Sequence, residues 1–342
     1  MNIAEALTSI TAGEDLSFHQ TKAVFDLIMA GDATPGQIGG VLMALETKGA
    51  VVQEIAGAAS AMRDASVKVE VDIDNLVDTC GTGGSGSHKL FNVSTAAAFV
   101  AAAGGASVAK HGNRAASSKS GSADVLELAG VNLELNPEQV ARCIKEVGVG
   151  FLFAMSHHPA MRFAGPVRKE LGIRTVFNVL GPLTNPASAK RQVLGVFAAD
   201  MQRPLAKVLA QLGAEHVLVV HADGLDELSV AGASSIVELR DGHLEEYSVE
   251  PADFGLDEHD VSDLHCNSPE ESLAMIRAAL TGTENQAASD LVALNAGAAL
   301  YAADVAGSLA NGVAMAQDLI ITGQASEKLK EFVALTKAIP AA

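Results

Sequence analysis

At Leu76 the hydrophobic periodicity of this chain changes character, and that change restricts the possible folds more than any other feature. Before it, apolar residues recur at helical spacing: Ile3, Ala6, Leu7 and Ile10, then Val24, Phe25, Leu27 and Ile28. Thr34-Pro35 puts an N-cap and a first-turn proline ahead of a helix over Gly36–Lys48, and Val51–Ala65 predicts a fourth. The charged stretch Val67–Asp74 is β-prone. From Leu76 onward, strand and helix patterns alternate: a strand Leu76–Cys80, a helix Ser94–Ala103, a strand Ala106–Ala109, and helices Asp124–Leu128 and Pro137–Val147. Strands near Val193–Val196 and Val217–Val220 flank a helix over Gln202–Leu212. Such alternation requires a largely parallel sheet with helices on its faces, an α/β fold. Ile236–Leu239 and Leu244–Val249, joined through Asp241-Gly242, predict an appended hairpin, and Glu270–Lys337 returns to helix. Pro159–Pro186 holds a helix over Ala160–Leu171 and a turn-rich run from Asn178; it is either a hinge returning to the helical part or an ordinary connection.

The chain has 342 residues, 49% of them hydrophobic, with no Trp and 32 Gly. It is therefore long enough for one large domain plus a small one, with a core of Ala, Val, Leu and Ile. A net charge of −18 argues against nonspecific nucleic-acid binding. Three widely spaced cysteines, Cys80, Cys143 and Cys266, make neither a disulfide framework nor a CxxC zinc site, and they fit a reducing cytoplasm. The start MNIAEALTSI lacks the pattern of a secretory signal, and the apolar run Ala96–Ala103 is too short to span a bilayer. No membrane association is expected.

Acidic residues number 41, yet none occurs between Asp78 and Asp124. At the average density those positions would hold roughly five, so their absence marks where something negative docks. The stretch contains the loop Gly81-Thr82-Gly83-Gly84-Ser85-Gly86, the helix start Asn92-Val93-Ser94-Thr95, and Lys110-His111-Gly112-Asn113-Arg114 with the serine tail Ser117-Ser118-Lys119-Ser120-Gly121-Ser122. Unobstructed backbone N–H groups, a helix N-terminus and fixed cations are the parts of a phosphate cradle. The loop matches G-x-G-x-x-G, but the acid a dinucleotide ribose needs about 20 residues on is absent. Six residues also separate its last glycine from Ser94. A Walker A loop is excluded, because Ser87-His88 stand where Lys and Ser/Thr are required.

After the strand at Val217, the loop His221-Ala222-Asp223-Gly224-Leu225-Asp226-Glu227 crowds three carboxylates together. They suit Mg²⁺, although an acidic surface turn is as common. His157-His158 lacks metal-ligand spacing, Cys80 reads as a small spacer beside the loop, and no Ser/His/Asp or Cys/His constellation is present.

In combination, Asp78-Thr-Cys-Gly-Thr-Gly-Gly84, Asn92-Val-Ser-Thr95, Lys110-His-Gly-Asn-Arg114, Pro166-Val-Arg168, Phe177-Asn-Val-Leu-Gly-Pro-Leu-Thr-Asn-Pro186 and Gly224-Leu-Asp-Glu227 resemble the anthranilate phosphoribosyltransferase family of tryptophan biosynthesis. The resemblance runs over nearly the whole chain. It implies a small helical domain, residues 1–66 completed by part of 159–186, and a large α/β domain over 67–342, with the active site in the cleft between them. It also implies a homodimer built through the helical domain and an Mg²⁺ cofactor. Phosphoribosyl pyrophosphate would be bound by Gly81, Thr82, Gly83, Gly84, Ser85, Lys89, Asn92, Val93, Ser94, Thr95, Lys110, His111, Gly112, Asn113, Arg114, Ser117, Ser118 and Ser122. Anthranilate would meet Gly81, His111, Asn113 and Arg168, and the metal Ser94, Asp226 and Glu227. No side chain is expected to act as acid or base. One departure stands out: the family usually has Asp where this chain has Ser85, and the run from there to Asn92 is one residue longer. Two other readings compete: a nucleoside phosphorylase of similar architecture, and a non-catalytic relative that binds nucleic acid, which the charge disfavours.

Overall fold

The computed structural model of the chain describes residues 1–83, 90–115 and 119–339. Four helices come first: α1 (Ile3–Thr11), α2 (Phe18–Ala30), α3 (Pro35–Lys48) and α4 (Val52–Asp64). Asn2, Ser17 and Thr34 each accept a first-turn amide, and Glu5, Gln20 and Gln37 reach back in return, so the first three starts are capping boxes written in four residues. Glu54 opens α4 and is wholly buried. It accepts the Leu16 and Val51 amides at 3.0 and 2.9 Å and the Lys48 ammonium at 3.0 Å, which holds the α1–α2 turn against the α3–α4 corner.

The alternating part then runs β1 (Leu76–Gly81), α5 (Val93–Ala103), β2 (Ser107–Gly112), α6 (Ser122–Ala129), α7 (Pro137–Val147) and β3 (Val149–Phe153). The chain leaves the sheet through α8 (Ala154–His157), α9 (Met161–Leu171) and α10 (Phe177–Leu180), and returns as β4 (Arg191–Gly195), α11 (Gln202–Gln211) and β5 (His216–His221). The hairpin β6 (Ser234–Arg240) and β7 (His243–Val249) follows, then α12 (Pro269–Ala279), α13 (Gln286–Ala302), α14 (Leu309–Ile321) and α15 (Gln324–Ala338). The seven strands lie in the order β3-β2-β1-β4-β5-β6-β7, parallel up to β5 and antiparallel beyond it. Asp241 and Gly242 both take positive φ at the hairpin turn, as its two-residue connection requires.

Two elements differ from the sequence reading. The edge strand β3 went unread, because Val149–Phe153 starts directly after the α7 cap Gly148 and carries Gly150 within it, so no turn separates it from the helix. Val67–Asp74 forms no strand; Val67 and Val69 instead donate to the carbonyls of His157 and Pro186.

The sheet divides the core. Val193, Leu218 and Val220 face α5 and the C-terminal helices, while Leu194, Val196, Val217 and Val219 face α11 and, beyond it, the N-terminal helices. Helices α9 and α10 return to pack among α2, α3 and α4, adding Ala164, Val167, Phe177 and Leu180 to that second cluster. Arg63, at the end of α4, ties this layer to the returning segment through its Nε–H on the Leu183 carbonyl at 2.6 Å. Burial lowers the Arg63 pKa to about 10.

The chain first builds outward from β1 to β2 and β3, then crosses back and adds β4 on the other side. The direction of winding therefore reverses at the β1/β4 pair, where open α/β sheets leave a crevice at the strands' carboxyl ends. No described helix is long and apolar enough to cross a membrane. Behind the sheet, α13 and α14 meet backbone to backbone: a Cβ at Gly297 would lie 2.5 Å from the Val313 nitrogen. Gly297→Ala is therefore expected to lower unfolding free energy by about 1–3 kcal/mol despite the better helix propensity of alanine. Urea titration checks this, and an unchanged midpoint would contradict the tight crossing.

Candidate active site

The carboxyl ends of β1 and β4 are Gly81 and Gly195, paired in register. A Cβ on either would collide with Asp226, on its carboxylate at Gly81 and on its backbone at Gly195. Two bare positions thus let the loop after β5 settle over the switch point. There the Asp226 carboxylate accepts the Gly83 amide at 2.9 Å, and Glu227 accepts the Ser94 amide at 3.2 Å at the start of α5.

Lys110, on β2, is 3% exposed and extends beneath the same helix start. Its Nζ donates to the Thr79 carbonyl at 2.5 Å and to Ser94 Oγ at 3.3 Å. Asn92 is aimed by two hydroxyls: Ser120 and Ser272 donate to its Oδ1 at 2.7 and 2.8 Å, and its backbone N–H donates to Ser272 Oγ. That arrangement fixes which end of the side-chain amide is the acceptor.

Beside this floor lies a histidine pair. His111 Nδ1 lies 3.1 Å from the Gly181 carbonyl, and its Nε2 lies 3.2 Å from His158 Nε2. Because a carbonyl only accepts, His111 carries its proton on Nδ1 and accepts from His158, whose buried Nδ1 has no partner. Burial lowers the His111 pKa to about 3, helped by the neighbouring His158, His157 and Lys110. Burial likewise takes His158 to about 4, with His157 and Lys68 adding to the effect. Underneath, Asp78 accepts the His111 amide at 3.0 Å and Asn185 Nδ2 at 2.8 Å; its burial outweighs these bonds and raises its pKa. Burial and the Asp78 charge push the adjacent Cys80 thiol well above its usual range, so it is no nucleophile.

These parts open into one cleft of about 800 Å³, whose far wall comes from the returning segment with Arg168, Arg174 and Phe177. Arg168 lies over the Phe177 ring at 5.1 Å, and Arg174 over Phe197 at 4.1 Å. Of the residues singled out from sequence, Gly81, Thr82, Gly83, Asn92, Ser94, Lys110, His111, Gly112, Asn113, Arg114, Ser122, Arg168, Asp226 and Glu227 line this cleft. Val93 and Thr95 do not: both are buried in the first turn of α5, and Thr95 Oγ1 finds no partner there. Arg114 lines the cleft but spends its guanidinium on Asp124 and Glu127 at 3.2 and 2.7 Å. Asp223 faces a smaller neighbouring cavity. Gly84, Ser85, Lys89, Ser117 and Ser118 lie outside the described residues. Sequence reasoning did not single out Arg174, Asn178 or Phe197, and it set His158 aside as lacking metal-ligand spacing. Arg174 and Phe197 sit in no glycine loop and carry no spacing signal, whereas Asn178 stood inside a quoted motif without a role.

Ser94, Asp226 and Glu227 all line the cleft with oxygen donors, and Glu227 accepts the Ser94 amide. Among the described residues no group of three or more His, Cys, Asp or Glu stands ready to enclose a metal. Two carboxylates and a hydroxyl fit Mg²⁺, which is held through one or two carboxylates, water and substrate phosphates rather than a full protein cage.

Residues 73–326 match the model for the glycosyl transferase family a/b domain, and residues 4–66 match that for its helical bundle domain. Proteins named anthranilate phosphoribosyltransferase from Teredinibacter turnerae and Cellvibrio japonicus are 56% and 53% identical over 98% of this chain and 99% of their own lengths. The chain belongs to the anthranilate phosphoribosyltransferase family. Its structure follows that of the anthranilate phosphoribosyltransferase from Thermus thermophilus, with a TM-score of 0.92 and 47% identity over 97% of this chain and 99% of that one. The Saccharomyces cerevisiae anthranilate phosphoribosyltransferase, solved in complex with PRPP and Mg, aligns at a TM-score of 0.88 and 27% identity over 98% of each chain.

In this member of the anthranilate phosphoribosyltransferase family, the histidine pair has a consequence for stability. Both rings are neutral when folded and bind protons only well below their unfolded pKa of about 6.5, so the unfolded chain holds more protons between those limits. The stability the pair contributes is therefore full above about pH 6.5 and is lost as the pH falls toward about 4 for His158 and about 3 for His111. His158→Gln keeps a donor to His111 and removes one titrating group. Its stability is expected to fall less steeply over that window, by up to about 1.4 kcal/mol per pH unit. Urea unfolding at several pH values checks this; identical slopes would rule out the pair as the source.

Proposed function

We propose that this chain transfers the 5-phosphoribosyl group from phosphoribosyl pyrophosphate to the amine of anthranilate, releasing pyrophosphate, a step of tryptophan biosynthesis that uses Mg²⁺. The observation that carries the reading is a single cleft in which Gly83, the α5 start and Lys110 face a wall bearing Arg168. One side brings the buried Lys110 ammonium and the Ser94 hydroxyl to phosphates, the other a planar fork to a carboxylate.

The amine nitrogen of anthranilate attacks C1 of the ribose as the C1–O bond to pyrophosphate breaks, and the electron pair leaves with the pyrophosphate. The nitrogen then sheds a proton to solvent. The aryl amine is neutral near pH 7 before attack, so no base is needed to activate it, and burial keeps His111 and His158 neutral, weak bases. The work of the chain is positioning and charge stabilisation. Lys110, held at a fixed height by the Thr79 carbonyl, sets positive charge beneath the departing group. Asn92 and Ser94 orient the sugar diphosphate, and Asn113 and Arg168 hold anthranilate. When bound, Mg²⁺ supplies further positive charge against the pyrophosphate, with Ser94, Asp226 and Glu227 as its protein ligands.

The same reading takes residues 1–66 with part of 159–186 as a domain that closes on the remainder and excludes water from the activated sugar. The packing of α9 and α10 among α2, α3 and α4 supports it. Homodimerisation through the helical layer and a cytoplasmic location complete the proposal; the three cysteines, all unpaired, suit a reducing compartment.

Production of fluorescent phosphoribosyl-anthranilate from the two substrates with Mg²⁺ tests the reaction, and no product from folded protein would overturn it. Arg168→Ala is expected to raise the anthranilate KM by about 10-fold or more, as loss of a charge-assisted bond implies, with little change in the KM for phosphoribosyl pyrophosphate. Equal effects on both would remove Arg168 from the anthranilate site. Asp226→Asn combined with Glu227→Gln should move the Mg²⁺ activation curve to higher concentration, and an unmoved curve would take both residues out of the metal site.

A further inference from the structure

Asn295 lies in the middle of α13 and is 2% exposed, among alanines and leucines that fill the core behind the sheet. A polar amide in that setting needs every bond it can make. Asn295 Oδ1 accepts the Leu228 amide at 3.0 Å, and its Nδ2 donates to the Leu228 carbonyl at 2.9 Å. The second Nδ2 hydrogen goes to the Leu291 carbonyl one turn back in the same helix, also at 2.9 Å, which fixes the side-chain rotamer. One side chain thus satisfies both backbone groups of a single residue, as a neighbouring strand would.

That residue follows Glu227 directly. Leu228 is itself fully buried, so its backbone is gripped from α13 while its side chain is packed. Immediately upstream, Glu227 accepts the Ser94 amide and Asp226 the Gly83 amide, and the Asp226 backbone rests on Gly195. The carboxylate pair is therefore suspended between two fixed points, the glycine floor before it and Asn295 after it.

We propose that Asn295 is a positioning residue for the Asp226–Glu227 pair: by clamping Leu228 it sets where the two carboxylates meet the glycine loop and the α5 start. The proposal rests on the reading that this pair serves Mg²⁺ and pyrophosphate. Asn295 reaches neither; it acts through the backbone, as outer partners orient metal ligands elsewhere.

The test uses Asn295→Leu in the full chain, with Asn295→Asp as the second variant. The aspartate keeps the shape and the acceptor for Leu228 N–H but loses both donated bonds, so it covers the case in which the leucine variant does not fold. Two readouts are taken without turnover: Mg²⁺-dependent pyrophosphate binding by calorimetry, and amide hydrogen exchange at Gly83 and Ser94 in the ligand-free protein. Binding is expected to weaken by about 10- to 100-fold. Exchange at the two amides is expected to quicken while that of β5 stays unchanged. A folded variant that retains wild-type exchange at both amides, or wild-type binding, overturns the role of Asn295. Failure of the underlying metal reading is separately visible: the wild-type chain would then bind pyrophosphate equally with and without Mg²⁺.

Discussion

The placement of Asp226 over the paired ends of β1 and β4 is the contact on which the site depends. Gly81 and Gly195 stand side by side at the point where the winding of the sheet reverses, and neither leaves room there for a side chain. The backbone and carboxylate of Asp226 occupy that space, which brings the loop after β5 to within a hydrogen bond of the loop after β1. Glu227 then reaches the first turn of α5. Three segments far apart in sequence are joined by one small absence of volume. Parallel α/β sheets leave a crevice at such a point in any case; here its floor is made of amides and one buried ammonium.

Much of this could be read from the residues, and the parts that could not share a physical reason. The glycine loop, the α5 start and the Lys110 strand end announced themselves by composition, because a phosphate cradle needs small residues and cations. The boundary acids of the acid-free stretch turn out to hold its ends: Asp78 accepts the His111 amide, and Asp124 accepts those of Ala115 and Gly121. The start of α3 was legible because Thr34-Pro35 sets a cap beside a first-turn proline. Strand β3 was not, since it follows α7 with only Gly148 between them and carries Gly150 within it. The His111–His158 pair and the Asn295 clamp were equally hidden. Each joins residues that only the fold brings together, and a lone histidine or asparagine in a sequence says nothing of its partner.

The sheet, rather than the chain boundary near residue 66, separates the two apolar clusters. The N-terminal helices share their core with α11 and with one face of β4 and β5, and the returning helices α9 and α10 fill the space between. The wall of the cleft that carries Arg168 is thereby anchored in the helical layer, while the floor belongs to the sheet. Three carbonyls in one short run are held: Leu183 by Arg63 of the helical layer, Gly181 by His111 and Pro182 by Gln192 of the sheet.

The cations that line the cleft sit inside a molecule of net charge −18. A polyanionic sugar approaching from bulk solvent first meets repulsion from the surface, and is attracted only once it is closer to Lys110 than to that surface. Screening extends over about 8 Å at physiological ionic strength. Added salt therefore weakens the outer repulsion before it reaches the sheltered ammonium, so capture of the sugar should quicken over the range of salt in which most anion sites lose ligand.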